Sequence, residues 1–274
     1  MLTEASSATS ILISLSAFGA YEVRRHGQAW FTQLALDAGA DGVDVRSELL
    51  LDTPRELLTI AELMRAARKA VVYSSAEPLW RADGQLDLYA LERAIASTQT
   101  LGAMRLKMSI GGFSEASQGS LVPLKIHLRQ AAVELVIEND QTPAAGTLDA
   151  MRNFFHAANH SGFPLGMTFD MGNWHWTGEC PLQAATALAP QVSYVHCKGV
   201  QRLAKKWVAV PLSASSAPWR AVLRALPANV PWAIEYPLQG DELLAVTRSE
   251  ITQLRQIAAD TAARAPCHQE TLAT

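Results

Sequence analysis

Four segments in the second half of the chain each place one acidic or imidazole side chain at the end of a short apolar run. The segments are ELVIEND, TFDMGN, SYVHCK and WAIEY, and the side chains are Glu138, Asp170, His196 and Glu235. Carboxylates and imidazoles hold divalent metal ions and move protons in enzymes. Acidic side chains seldom end a buried strand for stability alone, because burying an unpaired carboxylate is expensive. The four residues are therefore candidates for one shared site.

The alternation of side chains along a strand predicts that all four residues point inward. In ELVIEND the apolar Leu135 and Ile137 take the outward positions, so Glu138 faces inward, and the same count holds in the other three segments. Three carboxylates and one imidazole at one place need a compensating cation. An oxygen-rich set with one nitrogen suits Mn²⁺ first, with Mg²⁺, Co²⁺ or Zn²⁺ as other candidates.

Each of these residues also has a structural interpretation. A single inward carboxylate could belong to an ion pair, and Lys107 and Arg46 are available as partners. A lone histidine such as His196 is more often a satisfied core residue than a ligand. The coincidence across four consecutive segments favours the metal site over four separate ion pairs.

Eight short apolar runs, each followed by a helical pattern, supply the elements that must position these residues. The runs start with ILISLSAFG at residue 11 and end with WAIEYPL at residue 232. This alternation predicts βαβ units, and eight of them predict a (β/α)8 TIM barrel, an α/β fold in which catalytic side chains lie at the carboxyl ends of the strands. No linker interrupts the pattern, so we expect one domain over residues 1–261 and a flexible tail over residues 262–274.

Composition bounds the partners and the compartment. The chain has 274 residues, of which 49% are hydrophobic, and its formal net charge is −3. This charge argues against a nucleic-acid partner or an anionic membrane surface. No stretch reaches the roughly 18 uninterrupted apolar residues of a membrane span. The three cysteines show no disulfide or metal spacing, so we expect reduced thiols in a cytoplasmic protein.

The segments VIENDQT, FDMGN, YVHCKG and IEYP, in this order, resemble the sugar phosphate isomerase/epimerase family of xylose isomerase-like TIM barrels. That family includes tagatose and psicose 3-epimerases, hydroxypyruvate isomerase and inosose dehydratase. The resemblance implies a divalent metal held by Glu138, Asp170, His196 and Glu235. Because family members are often dimers or tetramers, it also implies a homodimer or homotetramer.

Three positions depart from the pattern of the epimerases. Where they often carry a substrate-binding histidine, three residues after the metal aspartate, this chain has Asn173, and the nearest histidine is His175. Where many members have an aspartate shortly after the metal histidine, Gly199 follows Lys198. Where epimerases present an arginine further downstream, this chain has Arg202, which is out of register with the family position. These departures concern the substrate more than the metal.

Several other residues are candidate contacts for a substrate. Lys107 and Lys198 point inward by alternation. Glu48 is the inward residue of its strand closest to the mouth, and the inward Asp44 and Arg46 could pair with each other deeper in the barrel. Together with Asn173, His175 and Arg202, the residues Lys107, Lys198 and Glu48 make up the predicted substrate-binding set. Lys107 could instead neutralise Glu138. The loop tryptophans Trp80, Trp174 and Trp176 suit a sugar face or loop packing.

The chemistry that agrees with these residues is proton transfer beside a carbonyl. A metal would stabilise the enediolate, and Glu138 and Glu235 would remove and return the proton. We therefore predict a metal-dependent isomerase or epimerase of a sugar, sugar acid or keto acid. A dehydratase of a keto-sugar or keto-inositol on the same site is the alternative. A non-catalytic sugar-binding barrel and an AP endonuclease-like protein are the further alternatives, and the few histidines and the acidic balance argue against the last.

Overall fold

The computed structural model describes residues 8–103 and 105–263, and these form a closed eight-stranded parallel barrel. Around the barrel the strand order is β1, β10, β7, β6, β5, β4, β3, β2. The strands are β1 Ile11–Ser14, β2 Gly42–Arg46, β3 Ala70–Ser74, β4 Arg105–Ser109, β5 Glu134–Glu138, β6 Gly166–Asp170, β7 Val192–Cys197 and β10 Trp232–Ile234. The predicted TIM barrel is confirmed.

Helices cover the outside of the barrel between successive strands. They are α1 Ala20–His26, α2 Gln28–Asp37, α3 Thr53–Ala67, α4 Leu88–Leu101, α5 Leu121–Ala131, α6 Leu148–His160, α7 Pro181–Leu188, α8 Trp219–Ala225 and α9 Leu243–Ala263. The main hydrophobic core lies between this layer and the outward strand faces. Burial of these apolar faces on both sides of the parallel sheet is what drives the closed arrangement.

The interior of the barrel is divided into an apolar floor and a polar layer above it. The floor is a separate small cluster of Leu12, Val72, Tyr194 and Ala233. One step nearer the carboxyl ends, the inward side chains become ionisable, as Tyr194 gives way to His196 on β7. This floor therefore lies between the ionisable groups and the amino-terminal end of the barrel.

The connection after β7 contains two further strands. They form an antiparallel hairpin of β8 Gly199–Leu203 and β9 Lys206–Val210, an addition to the eight predicted β–α units. A Cβ on Gly199 would lie 2.5 Å from the Val210 carbonyl oxygen, so this close pairing needs glycine.

The carboxyl-terminal end of the barrel domain is α9. Residues 262 and 263 of the predicted tail are its last two residues, and the rest of that tail lies outside the described residues. Within the described ranges, the search for a helix long and apolar enough to cross a membrane finds none.

Asp41 ties three elements together at the amino-terminal end of the barrel. Its Oδ2 accepts hydrogen bonds from the Ile11 amide (3.1 Å) and Arg255 (2.8 Å), and its Oδ1 accepts one from Lys69 (2.9 Å). Burial raises the pKa of Asp41, but these bonds and the Arg255 charge outweigh burial and lower it below its usual value. The ionised form therefore stabilises the fold.

We predict that Asp41→Asn lowers the free energy of unfolding by about 1–3 kcal/mol at pH 7, because charged hydrogen bonds of this kind are lost. Since the folded pKa is depressed, the stabilisation is present above the usual carboxyl pKa and is lost as the pH falls through the folded value. The difference in the free energy of unfolding between wild type and Asp41→Asn, measured by urea unfolding, should therefore become smaller at low pH. Asp260→Asn, on an exposed face of α9, is the control, and equal loss in both variants would contradict the assignment.

Candidate metal centre

Four ionisable side chains from neighbouring strands meet at the mouth of the barrel. Glu138 ends β5, Asp170 ends β6, His196 lies on β7, and Glu235 follows β10. Asp170 and His196 are direct partners in the β6–β7 register, and Ala233 pairs with His196 across β7 and β10. One ligand atom of each residue lies within 4.8 Å of the other three. The structure thus brings together the whole set that the sequence singled out.

Both glutamates have one oxygen held by a cation and one directed at His196. Lys107 Nζ lies 2.5 Å from Glu138 Oε2, and Arg46 Nη1 lies 2.7 Å from Glu235 Oε1. The other oxygens, Glu138 Oε1 and Glu235 Oε2, each lie 2.9 Å from the same atom, His196 Nδ1. Lys107 and Arg46 therefore fix the two carboxylates without covering the oxygens that face each other.

The two oxygens of the Asp170 carboxylate also have different partners. Its Oδ1 accepts hydrogen bonds from the backbone amides of Gly172 (2.8 Å) and Asn173 (3.0 Å), within the turn that follows β6. Its Oδ2 is left to face the mouth, where Lys198 Nζ lies 2.6 Å away. Asn139 exchanges two further hydrogen bonds with the Asp170 backbone. The aspartate is thus rigidly placed with a single oxygen available.

Asp44 orients the imidazole of His196. Asp44 Oδ2 lies 3.0 Å from His196 Nε2, and both side chains are fully buried. With Nε2 committed to Asp44, Nδ1 is the nitrogen that faces the carboxylates of Glu138 and Glu235. A carboxylate behind the far nitrogen of a histidine is the usual arrangement around metal-binding imidazoles.

The donor set fits a divalent metal. Nδ1 of His196 has only one hydrogen to donate, yet two carboxylate oxygens lie 2.9 Å from it. Glu138 Oε1 is consequently buried without a hydrogen-bond donor among the residues that the structure describes. Three carboxylate oxygens and one imidazole nitrogen therefore face one another, and the other polar atom of each side chain has its own partner. Such a set matches the ligands that Mn²⁺, Mg²⁺ or Zn²⁺ take.

The charges at the site are strongly coupled. Burial raises the pKa of Glu138, but Lys107 and His196 outweigh it and lower the pKa to about 2. For His196, burial acts in the opposite direction and lowers the pKa, but the nearby carboxylates of Glu235, Glu138 and Asp44 outweigh burial and raise it well above its usual value. For Asp170, burial and the neighbouring carboxylates prevail over Lys198 and raise the pKa to about 7. Negative charge is crowded here, so a bound cation would stabilise the site.

The remaining predicted substrate contacts fall into two groups. Lys107 and Lys198 lie at the site itself, and Asn173 joins it because its Oδ1 lies 3.2 Å from Lys198 Nζ. Glu48 is one step away and pairs with Arg46 at 3.0 Å. Arg46 itself is the partner of Glu235, and the deeper Asp44–Arg46 pair considered from the sequence is not among the described ion pairs.

His175 and Arg202, the other two predicted contacts, both lie against Trp207. The rings of His175 and Trp207 are 4.8 Å apart, and the Arg202 guanidinium lies 5.8 Å from the centre of the Trp207 ring. None of the described contacts joins His175 or Arg202 to the four candidate ligands. His175 is half-buried, and this burial lowers its pKa.

The three loop tryptophans noted in the sequence differ in burial. Trp80 and Trp174 are fully buried, so they pack the loops and do not offer a face to a sugar. Trp80 contacts Phe113 and Phe154 and donates to Ser120. Trp176 is half-buried.

Sequence reasoning missed two residues of this region. Asp44 was noted as inward but not as the partner of His196, since β2 and β7 are not neighbours and only closure of the barrel brings them together. Trp207 was assigned to a loop, and the hairpin places it against His175. The inward alternation of GVDVR was the only available signal for Asp44.

Comparison with known proteins finds likeness in structure only. No protein-family model matches the chain, and no curated protein sequence matches it. Solved structures do match. A xylose isomerase-like TIM barrel/4-hydroxyphenylpyruvate dioxygenase fusion protein superposes with a TM-score of 0.71 at 15% identity over 94% of this chain, which spans 44% of the length of the fusion protein.

Two single-barrel structures match over nearly their whole length. An L-ribulose 3-epimerase has a TM-score of 0.71 at 16% identity, covering 97% of this chain and 100% of its own. A xylose isomerase-like TIM barrel protein from Mycobacterium smegmatis, in complex with magnesium, has a TM-score of 0.61 at 17% identity, covering 93% and 97%. The chain shares the TIM-barrel fold of these structures. At these identities the likeness establishes the fold alone.

Asp44 provides a test of the orientation of His196. We predict that Asp44→Asn, which keeps the shape but removes the charge behind Nε2, weakens Mn²⁺ binding about 10- to 100-fold, as loss of such a supporting carboxylate typically does. Isothermal titration calorimetry measures the affinity. Asp83→Asn, an exposed aspartate before α4, should bind the metal like wild type, and unchanged affinity in Asp44→Asn would show that Asp44 does not support the ligand.

Proposed function

We propose that the protein is a divalent-metal-dependent isomerase or epimerase of a sugar, sugar acid or keto acid. The observation that carries this proposal is the arrangement of the four candidate ligands Glu138, Asp170, His196 and Glu235, whose facing atoms converge while their other atoms are held by separate partners. A purely structural ion-pair network has no need to leave Glu138 Oε1 without a donor.

Bound there, a divalent cation such as Mn²⁺ would acidify the C–H beside a substrate carbonyl and neutralise the charge of the resulting enediolate. Glu138 and Glu235 are the groups that would move the proton. Their facing oxygens converge on His196 Nδ1 from two different strands, β5 and the end of β10, so both carboxylates would lie beside a substrate held by the metal. One glutamate removes the proton and the other returns it.

The surroundings of the glutamates suit this task. Burial raises the pKa of both, but Lys107 and His196 lower the pKa of Glu138, and His196, Lys198 and Arg46 lower that of Glu235. Both are therefore held ionised, the state in which a carboxylate can accept a proton. Lys107 and Arg46 contact the far oxygens, and their charge would then stabilise the negative charge that develops on the substrate.

The structural neighbours support the same class. An L-ribulose 3-epimerase changes the configuration at a sugar carbon, and the Mycobacterium smegmatis protein shows that a barrel of this shape holds magnesium. We extend both properties to this chain as a proposal, on the strength of its own ligand set.

Metal binding is the first test. We expect the purified protein to bind about one divalent ion per chain, and Glu138→Gln, Asp170→Asn, His196→Ala or Glu235→Gln to weaken binding by at least about 10-fold, since each removes one ligand or its charge. Glu134→Gln is the matched control, because Glu134 begins the same strand at the opposite end of the barrel and pairs with Arg105. Elemental analysis that finds no ion after incubation with Mn²⁺ would sink the proposal.

Proton exchange is the second test. With Mn²⁺ present, we expect turnover of a ketose or keto acid in D₂O to place solvent deuterium on the carbon beside the carbonyl, without loss of water. Glu138→Gln and Glu235→Gln should each lower kcat at least about 100-fold, the usual contribution of a positioned acid or base. Loss of water from the product would assign a dehydratase to this site, and full activity in both variants would exclude the two glutamates as acid and base.

A further inference from the structure

Lys198 is bound to oxygens that a metal would need. Its Nζ lies 2.6 Å from Asp170 Oδ2 and 2.8 Å from Glu235 Oε2. The other oxygen of each carboxylate is already held, Asp170 Oδ1 by two backbone amides and Glu235 Oε1 by Arg46. A divalent ion at the site must therefore use the two oxygens that Lys198 contacts.

The other two cations of the site are in a different position. Lys107 contacts Glu138 Oε2 and Arg46 contacts Glu235 Oε1, which are the oxygens turned away from the common point. They can keep these partners when the facing oxygens bind a metal. Among the described residues, Lys198 is thus the one lysine or arginine of the site that would lose its anionic partners.

The Lys198 side chain is held at the mouth. Its stem lies against Gly172, where an added Cβ would be 2.7 Å from Lys198 Cδ and 2.8 Å from Cγ. Its other polar neighbour is the neutral Asn173 Oδ1 at 3.2 Å, and only 11% of the side chain is exposed. After losing Asp170 and Glu235, the ammonium would remain largely buried with no anion beside it. Such a group is costly unless an incoming anion pairs with it.

We propose that Lys198 makes this site selective for an anionic substrate, a sugar acid or keto acid, whose carboxylate takes the place of Asp170 and Glu235 as the partner of the lysine. This inference rests on the proposed metal-dependent function and narrows its substrate class. Lys198 is released toward the mouth only when the metal is bound, so ordered binding follows, with the metal first and the acid second.

Matched acid and neutral ligands test the selectivity. Hydroxypyruvate against dihydroxyacetone, and tagaturonate against tagatose, differ only in a carboxylate that replaces a hydroxymethyl group. We expect Mn²⁺-loaded wild type to bind the acid of at least one pair about 10-fold or more tightly than its neutral partner, the size expected of one charged hydrogen bond. Calorimetry measures binding without turnover.

Variants of the lysine locate the cause. Lys198→Met should reduce the preference for the acid to less than about threefold, while Lys198→Arg, which keeps the charge, should retain most of it. Gly172→Ala retains the lysine but crowds its stem, and should lower the preference in part. Lys205→Met, on the exposed turn between β8 and β9, loses the same charge and should behave as wild type.

Metal affinity separates this role from a structural one. Lys198→Met should bind Mn²⁺ at least as tightly as wild type, because the competing ammonium is gone, whereas a lysine that merely supports the site would weaken binding when removed. Equal binding of acid and neutral ligands by wild type, or an undiminished preference in Lys198→Met, overturns the inference. In that case Mn²⁺ binding and deuterium exchange still stand for the proposed function. A wild-type protein that binds no Mn²⁺ overturns both.

Discussion

The structure of the site depends on one constraint, that three carboxylates and an imidazole share a buried place at the barrel mouth. Each of the four side chains meets this constraint by using its two polar atoms for different contacts. One atom is tied to a fixed partner, and the other faces the common point. Those fixed partners are Lys107, Arg46, the backbone amides of Gly172 and Asn173, and Asp44. Because the partners differ in kind and come from different strands, the four facing atoms are held independently.

The barrel supplies this arrangement through register. Asp170 lies opposite His196 across β6 and β7, and Ala233 opposite His196 across β10 and β7, so that Glu235 emerges just above the imidazole. The side chains of Asp170 and His196 are fully buried, and those of Glu138 and Glu235 are only 15% and 8% exposed. Electrostatic interactions are therefore stronger here than at the surface, which is why removing any one partner affects the others.

The inventory of cations distinguishes this mouth from a simple acidic metal site. Lys107 and Arg46 contact the outer oxygens of the glutamates, which are turned away from the common point. Lys198 contacts inner oxygens, those of Asp170 and Glu235 that face that point. Beside them, the hairpin brings Trp207 against His175 and Arg202 over Trp207. Cationic and aromatic side chains thus lie together where this hairpin meets the turn that follows β6.

The amino-acid sequence by itself determined the eight-unit barrel and the inward direction of Glu138, Asp170, His196 and Glu235, because strand alternation and apolar periodicity are local properties. It did not determine which oxygen of each carboxylate faces the site, or that Asp44 lies behind His196, because β2 and β7 meet only when the barrel closes. It also left open whether Lys107 neutralises Glu138 or faces a substrate. Only the tertiary structure shows that Lys107 pairs with the outer oxygen of Glu138, because the length and direction of two side chains on neighbouring strands are not local properties of the sequence.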